Sequence, residues 1–335
     1  MNRSVRTVAA VLGTLAMCGC SSSAEMSQND AGAPKHDANT PTPEAGQDAG
    51  NGQRTYTFTT FDGPSGPPTT INGINNDGTV VGLTTVAAGD SGTTNTNFLR
   101  NAGGTVSMLD VGDPSMGMAT AVNKNNEVVG VANGEAFTLI GSTETTLTPF
   151  GSTSSIAFGL NDEGVVVGQF VQDSAHTPGF VLMSGAFTNV TPTMASVATN
   201  VQGINNSGLA VGFYTEDGTT QHGFTFDTNT MKIALLADPS TARITSGGLV
   251  LTQFLGVNDG GQAVGYYQTN NNSQYGFLYD LATQTYTFLD HPQAAPVMGV
   301  QTTQITGIDN AGDIAGFFID SAGNQHGFVA TLSGS

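Results

Sequence analysis

Histidine, asparagine and acidic side chains recur at fixed places beyond residue 54 of this chain, and their chemistry is considered first. His222 and His326 precede the same Gly-Phe pair in different parts of the sequence, and His176 stands close to a third such pair. A zinc site needs three or four ligands within a few ångströms. Because equivalent positions in separate repeat units lie apart, we interpret these histidines as hairpin-end residues that bond to the backbone. The sequence predicts no metal site and no cofactor.

A ten-residue phrase carries most of the asparagines. It runs glycine or alanine, an aliphatic residue, Asn or Asp, a turn, an apolar stretch and a closing glycine, and its six copies start at Gly73, Ala121, Gly159, Gly203, Gly256 and Gly307. The third place is Asn75, Asn123, Asn161, Asn205, Asn258 and Asp309. Calcium needs six to eight oxygen ligands, which no single loop here supplies. We interpret these side chains as acceptors for backbone amides of their own turns, where a glycine three residues later supplies a positive φ.

Nucleophilic catalysis lacks its usual sequence pattern. Serines are plentiful, but none stands in a Gly-x-Ser-x-Gly elbow. The chain has no Trp, so the usual aromatic platform for sugars is missing. No catalytic residue can be named from the sequence.

Each copy of the phrase predicts a β-hairpin, because alternating apolar residues flank an Asn/Gly turn. In the fourth copy, strands at 199–205, 209–215, 223–227 and 231–236 form one antiparallel unit. Four copies place a Phe twelve residues after the closing glycine, and we expect Gly212 to face Phe224 and Gly316 to face Phe328 across neighbouring strands. Six such units predict an all-β fold, a six-bladed β-propeller of four-stranded antiparallel blades.

The last unit lacks room for a fourth strand, and a spare strand precedes the first unit. Residues 56–62 read YTFTTFD and match the YTFLD of residues 286–290, which end the fifth unit. We expect this N-terminal strand to complete the last blade and close the ring. An open β-solenoid, which needs no such exchange, is the alternative.

The phrase GINNDGTVVG at 73–82, together with His-Gly-Phe at 222–224 and 326–328, resembles the bacterial extracellular HAF repeats. In that family a similar segment precedes a His-Ala-Phe motif. Here Gly replaces the middle Ala in most copies, and the second copy keeps Ala136-Phe137 but has Glu135 in place of His. The resemblance covers nearly all of residues 72–330 and implies no catalytic residue.

In a propeller, the loops that join second to third strands share a face with those that join successive blades. The sequence places a candidate ligand face there, formed by Asp90, Asp173, Glu216, Asp217, Asp320, Asp238 and Asp290. Inter-blade loops add Asp62, Asp110 and Asp113. The opposite face is acidic too, so solubility accounts for much of this charge.

The first twenty residues resemble a bacterial lipoprotein signal, with a basic head, an apolar core and Gly19 before a Cys20 that would be lipidated. An ordinary secretory signal is the alternative. Residues 21–53 are Ser, Ala, Asp, Pro and Gly rich, which predicts a disordered acidic linker. Residues 54–335 form the six-repeat domain. We expect an exported envelope protein, at the outer membrane or cell surface, that is held to the membrane by its lipid.

The repeat domain holds five Lys and Arg against twenty-one Asp and Glu, so nucleic acid is an unsuitable partner. The sequence favours a monomeric, non-enzymatic module that binds a glycan or a surface protein. One alternative is a hydrolase or lyase that acts on an extracellular polymer through paired carboxylates on one face, which is an analogy from the fold. Another is a structural protein of the envelope or matrix.

Overall fold

The computed structural model describes residues 42–47, 54–87, 92–241, 244 and 248–333. Within these ranges the chain forms β-strands and one short 3-10 helix, Pro149–Gly151. No helix in the described part of the chain is long and apolar enough to span a bilayer. Cys20 and the predicted signal lie outside the described residues, as does the predicted linker except for strand β1, Thr42–Gln47. Strand β2, Thr55–Phe61, opens the repeat domain.

Six antiparallel sheets follow one another along the chain. Blade 1 consists of β3 Thr69–Ile74, β4 Val80–Ala87, β5 Thr93–Arg100 and β6 Val106–Leu109. Blade 2 consists of β7 Met118–Val122, β8 Val128–Ala132, β9 Glu135–Ile140 and β10 Thr143–Leu147. Blade 3 consists of β11 Ser155–Leu160, β12 Val166–Phe170, β13 Gly179–Met183 and β14 Ala186–Val190.

The remaining blades repeat this meander. Blade 4 consists of β15 Ala198–Ile204, β16 Leu209–Thr215, β17 His222–Asp227 and β18 Lys232–Leu235. Blade 5 consists of β19 Leu249–Val257, β20 Gln262–Thr269, β21 Gln274–Asp280 and β22 Thr285–Phe288. Blade 6 takes β23 Thr303–Ile308, β24 Ile314–Ile319 and β25 Gln325–Ser333 from the C-terminal end. The six-bladed β-propeller predicted from the repeats is confirmed.

The N-terminal strand completes blade 6, as the sequence predicts. β2 pairs antiparallel with β25, in a register that runs from Thr55 opposite Ser333 to Phe61 opposite Gly327. Tyr56 and Phe58 on this strand are buried at 0% and 2% exposure. Strand β1 then adds to the outer edge of β2. Among the described strands, the seam between β2 and β25 is the one place where a blade joins two distant parts of the chain, and we call it the closing seam.

The closing glycine of each phrase faces a buried phenylalanine on the third strand of its blade. Gly212 pairs with Phe224 and Gly316 with Phe328, as predicted. Opposite each of these glycines the first strand slips by one residue, for example between Val201 and Gly203. A Cβ at Gly212 would strike the carbonyl oxygen of the first strand and lie 3.1 Å from the Phe224 ring. The phenylalanine fills the space that glycine leaves, and each such buried ring contributes about 2 kcal/mol of hydrophobic stabilisation.

The first residue of each phrase lines the propeller axis and touches its counterpart in the next blade. A Cβ at Gly203 would lie 2.9 Å from the Cα of Gly256, and one at Gly307 would lie 3.2 Å from the Cα of Gly73. Glycine therefore lets the inner strands approach each other closely around the axis. The apolar core lies between neighbouring blades rather than at the axis, because each of these clusters draws apolar side chains, Val and Phe among them, from two adjacent sheets.

Candidate functional site

The meander places two kinds of connection on opposite faces of the ring. We call loop face the side formed by the connections between second and third strands and between successive blades. Nine described carboxylates belong to these connections, namely Asp62, Asp110, Asp113, Asp173, Glu216, Asp217, Asp238, Asp290 and Asp320. We call turn face the other side, where first strands turn into second strands and third into fourth.

Basic side chains divide between the faces far more unevenly than acidic ones. The described Lys and Arg residues all lie in the turns of the turn face or at strand ends that adjoin them, at Arg54, Arg100, Lys124 and Lys232. None lies in a described connection of the loop face. The loop face therefore carries only negative fixed charge in the described ranges, with Asp90 and Arg243 lying outside them.

The two most exposed large apolar side chains of the described ranges stand on the same face. Met194 and Met298, in the connections between blades 3 and 4 and between blades 5 and 6, are fully solvent-exposed. Phe150, between blades 2 and 3, is 56% exposed and leans on Phe170 at a ring distance of 5.1 Å. Exposed Met and Phe among acidic groups are typical of protein contact surfaces, whose apolar centres are ringed by polar residues.

Three predicted ligand-face residues are exposed and are bonded to other residues of the loop face. Asp173 accepts from His176 Nδ1 at 3.0 Å, and this bond holds the pKa of Asp173 below its usual value. Asp217 accepts the backbone amides of Thr219 and Thr220, each at 2.7 Å, which lower the pKa of Asp217 strongly. Glu216 accepts from a threonine hydroxyl at 2.6 Å. Asp173 and Asp217 therefore stay ionised at neutral pH, and all three carboxylates fix the shape of the loops that they bond.

The other predicted residues lie near histidines. Asp238 bonds His222 Nδ1 at 3.0 Å, and Asp320 bonds His326 Nε2 at 3.2 Å. The expectation that the histidine side chains bond to backbone was wrong, because their partners are carboxylates of the same connection or of a neighbouring one. Asp290 is half-buried at the end of blade 5. In the described ranges no three His, Cys, Asp or Glu side chains form a cluster that could hold a metal ion.

The turn face carries a ring of asparagines that the sequence assigned only to turns. The turn role is confirmed, since Asn75 Oδ1 accepts from the amides of Asp77 and Thr79 at 3.0 and 2.9 Å. Each Nδ2 also donates to the backbone carbonyl of the same position in the next blade. These bonds link Asn75 to Asn123, Asn123 to Asn161, Asn161 to Asn205, Asn205 to Asn258 and Asn258 to Asp309, at 2.9 to 3.3 Å.

A second ring lies one residue further along the phrase. Its backbone N–H donates to the side-chain oxygen of the next blade, from Lys124 to Asp162, Asp162 to Asn206, Asn206 to Asp259, Asp259 to Asn310 and Asn310 to Asn76, at 2.7 to 2.9 Å. Lys124 has no acceptor, so the link that would join Asn76 to Lys124 cannot form. The two rings tie every blade to its neighbour around the axis.

Two carboxylates of the outer ring bond to the same asparagine amide. This pair is relevant to the alternative that the protein is a hydrolase or lyase with paired carboxylates. Asn206 Nδ2 donates to both Asp162 Oδ2 and Asp259 Oδ2, at 3.0 and 3.1 Å. Burial alone would raise the pKa of Asp162, but the Lys124 amide and two asparagine amides bond its carboxylate and lower the pKa overall. A general acid must hold its proton near neutral pH, and Asp162 does not. This pair therefore fits a structural role.

The axial cavity between these rings is small. It has a volume of about 90 Å³ and is lined by the two rings, by the phrase glycines and, deeper, by Asn72, Phe158, Gln202 and Leu255. Pockets for drug-sized ligands measure roughly 300 to 1,000 Å³. Gln202 is 6% exposed and its Nε2 has no protein partner. The cavity suits a few water molecules, one of which would satisfy this amide.

Sequence reasoning predicted neither the two rings nor the uneven distribution of basic residues between the faces. Of these features, the distribution of basic residues could have been derived from the sequence. Once the meander is assigned, the connection that holds a Lys or Arg follows from its number, so the four described basic residues could have been placed on the turn face. The rings could not be foreseen, because an Asn that caps its own turn has the same sequence pattern whether or not its Nδ2 reaches another blade.

No protein-family model matches the chain, and no curated protein matches it. Solved structures similar to it include a putative TolB from Agrobacterium tumefaciens, with 10% identity, a TM-score of 0.48, and coverage of 88% of this chain and 100% of that one. TolB from Acinetobacter baumannii shows 10% identity and a TM-score of 0.46 over 79% of this chain and 66% of its own. An Aleuria aurantia lectin in complex with Fucα1-6GlcNAc shows 14% identity and a TM-score of 0.43, over 78% and 93%.

Proposed function

We propose that this protein is a propeller binding module of the cell envelope, whose loop face recognises a partner protein that carries basic side chains. The observation that carries the proposal is the charge division, since the loop face has nine described carboxylates and no described Lys or Arg. Opposite charge on a partner would speed its approach and orient it on this face.

The exposed apolar side chains support a protein partner rather than a simple cation. Met194 and Met298 stand fully in solvent on the face that carries the carboxylates. Methionine is flexible and polarisable, and it is common on surfaces that adapt to a partner. Charge would therefore steer the encounter while the apolar tips supply contact area.

The envelope location rests on the N-terminal sequence. We propose that Gly19-Cys20 is a lipoprotein cleavage and lipidation site, that residues 21–53 are a tether, and that the repeat domain is related to the HAF repeats. Cells that express the natural chain should incorporate radioactive palmitate into it, and Cys20→Ala should abolish the label. Equal labelling of both chains would refute lipidation at that position.

Binding should be tested with the protein against arrays of immobilised envelope proteins and glycans at micromolar concentrations. We expect basic proteins to bind, with an affinity that falls as salt rises. The double variant Asp173→Asn, Glu216→Gln removes two exposed charges from the loop face and should weaken this binding.

The matched control removes two exposed charges from the turn face, as Asp77→Asn with Glu163→Gln. It should bind like the natural chain. Equal weakening by both double variants would show that net charge, not the loop face, attracts the partner. Absence of any protein bound at these concentrations would refute the proposed function, and a glycan as the sole partner would refute its protein specificity.

A further inference from the structure

Two histidines adjoin the closing seam, and their hydrogen bonds require opposite protonation states. Both lie at the loop-face end of blade 6, next to the strand β2 that closes the ring. Seven residue pairs hold β2 to β25, and no short chain connection backs them up. Any change that weakens side-chain contacts here acts on ring closure itself.

His326 is held between two carboxylates. Its Nδ1 lies 2.8 Å from Asp62 Oδ1, just beyond the end of β2, and its Nε2 lies 3.2 Å from Asp320 Oδ2, in the connection between β24 and β25. Ionised carboxylate oxygens only accept hydrogen bonds, so both ring nitrogens must carry protons for both bonds to form. The geometry thus requires an imidazolium, and the bond to Asp62 raises the pKa of His326.

His291 needs the opposite state. It is 2% exposed, stacks on Phe318 at a ring distance of 3.6 Å and meets Phe58 of β2 edge-on at 4.9 Å. Its Nδ1 accepts from the Gln293 amide at 3.2 Å, which leaves Nε2–H to donate to Thr60 Oγ1 of β2 at 3.1 Å. A ring with one accepting nitrogen is neutral. Burial, aided by the charge of His326, lowers the pKa of His291 to about 3.

We propose that this pair makes the closing seam a pH-sensitive latch, which is fully closed only while His326 is charged and His291 is neutral. The titratable groups that face the pair are Asp62 from the end of β2, Asp320 from blade 6, and each histidine toward the other, with Asp290 next to His291 in the chain. The latch would loosen at both ends of the pH range.

The stability of the seam should fall on both the acid and the alkaline side of an optimum pH, which we call the acid arm and the alkaline arm. The direction of each arm follows from the linkage between protonation and folding. His326 has a folded pKa above its unfolded value of 6.5, so its stabilisation is complete below pH 6.5 and is lost as the pH rises through the folded pKa. His291 has a folded pKa below 6.5, so its stabilisation is complete above pH 6.5 and is lost as the pH falls toward 3. Closure should be strongest near pH 6.5.

Hydrogen exchange of the full chain, measured by mass spectrometry and corrected for the intrinsic pH dependence of exchange, tests the latch. We expect protection of the β2 amides relative to β16 to peak near pH 6.5 and to fall on both sides. His326→Gln should raise β2 exchange at this pH by about tenfold and flatten the alkaline arm. His291→Gln should flatten the acid arm.

His222→Gln is the matched control, because His222 occupies the equivalent place in blade 4 but bonds one carboxylate, Asp238, at 3.0 Å. It should leave the β2 profile unchanged. Unchanged protection of β16 in each variant confirms that the propeller is folded. A β2 profile without pH dependence in the natural chain, or an equal effect of His222→Gln and His326→Gln, would overturn the proposal.

Discussion

Replacing Asp309 by Asn should stabilise this protein, because it would complete the inner ring of asparagines. Five amides donate from one blade to the next, and the sixth position holds a carboxyl group that has a proton to donate only when it is neutral. Asp309 Oδ1 already accepts the amides of Ala311 and Asp313 at 2.9 Å each. An Asn would keep these two bonds through its own Oδ1 and add the missing donor toward the Asn75 carbonyl.

The size of the effect has two parts. One buried hydrogen bond contributes about 1 kcal/mol, which shifts Tm by about 2 °C in a domain of this size. The second part is the cost of an ionised carboxylate, since Asp309 is 5% exposed and burial, with Asp313 nearby, raises its pKa. The natural chain therefore has the stabilising neutral form of Asp309 below the unfolded pKa of 3.8 and loses it as the pH rises through the folded value.

Thermal and urea unfolding of both chains from about pH 3 to pH 8 measure this difference. We expect Asp309→Asn to change the free energy of unfolding little at about pH 3. At higher pH the variant should be more stable than the natural chain, by a difference that grows with pH and then levels off. Asp227→Asn is a control that should lower the free energy of unfolding at neutral pH, because the partly exposed Asp227 has a pKa lowered by its bonds to Thr230 and Asn229. A less stable Asp309→Asn protein at pH 7, or a gain that is the same at every pH, would refute the argument.

Two further substitutions test the repeat. Gly212→Ala should destabilise the protein by about 2 kcal/mol or more, because its Cβ strikes the Asn200 carbonyl oxygen. Gly103→Ala, whose Cβ would lie 3.4 Å from the nearest heavy atom, should be nearly neutral in the same urea titration, and equal costs would exclude the proposed clash. Lys124→Asn supplies the acceptor that the outer ring lacks opposite Asn76, and a gain of about 0.5 kcal/mol in unfolding free energy is expected. A loss would mean that the ion pair of Lys124 with the neighbouring blade, 4.0 Å long, outweighs the ring.

The architecture could be predicted from the sequence alone because short-range patterns, repeated along the chain, determine the fold. An Asn/Gly turn between alternating apolar residues predicts a hairpin without knowledge of its neighbours. The likeness of residues 56–62 to 286–290 even located the strand that closes blade 6, and β2 confirms it. Such signals are local or internal comparisons, and they need no three-dimensional information.

The candidate site was harder to predict from the sequence, because its contacts depend on how the blades and their connections are placed side by side. His222 bonds a carboxylate from the connection that follows blade 4, and His326 bonds Asp62, which follows the N-terminal strand. A backbone partner was expected because nothing in the spacing of a histidine and an aspartate 264 residues away suggests contact.

The directional hydrogen bonds around the axis give the molecule a head-to-tail symmetry that does not depend on where the polypeptide begins. Blades 1 to 5 each donate an asparagine amide to a backbone carbonyl of the next blade, and blade 6 donates the backbone amide of Asn310 to the Asn76 side chain of blade 1. A head-to-tail contact of this kind could in principle join any number of blades in an open array. Here the array stops at six blades because the sixth meets the first and closes the circle. The chain could therefore be opened at any of six nearly equivalent junctions between blades. This is the organisation expected of a ring that arose by duplication of a single hairpin-based unit.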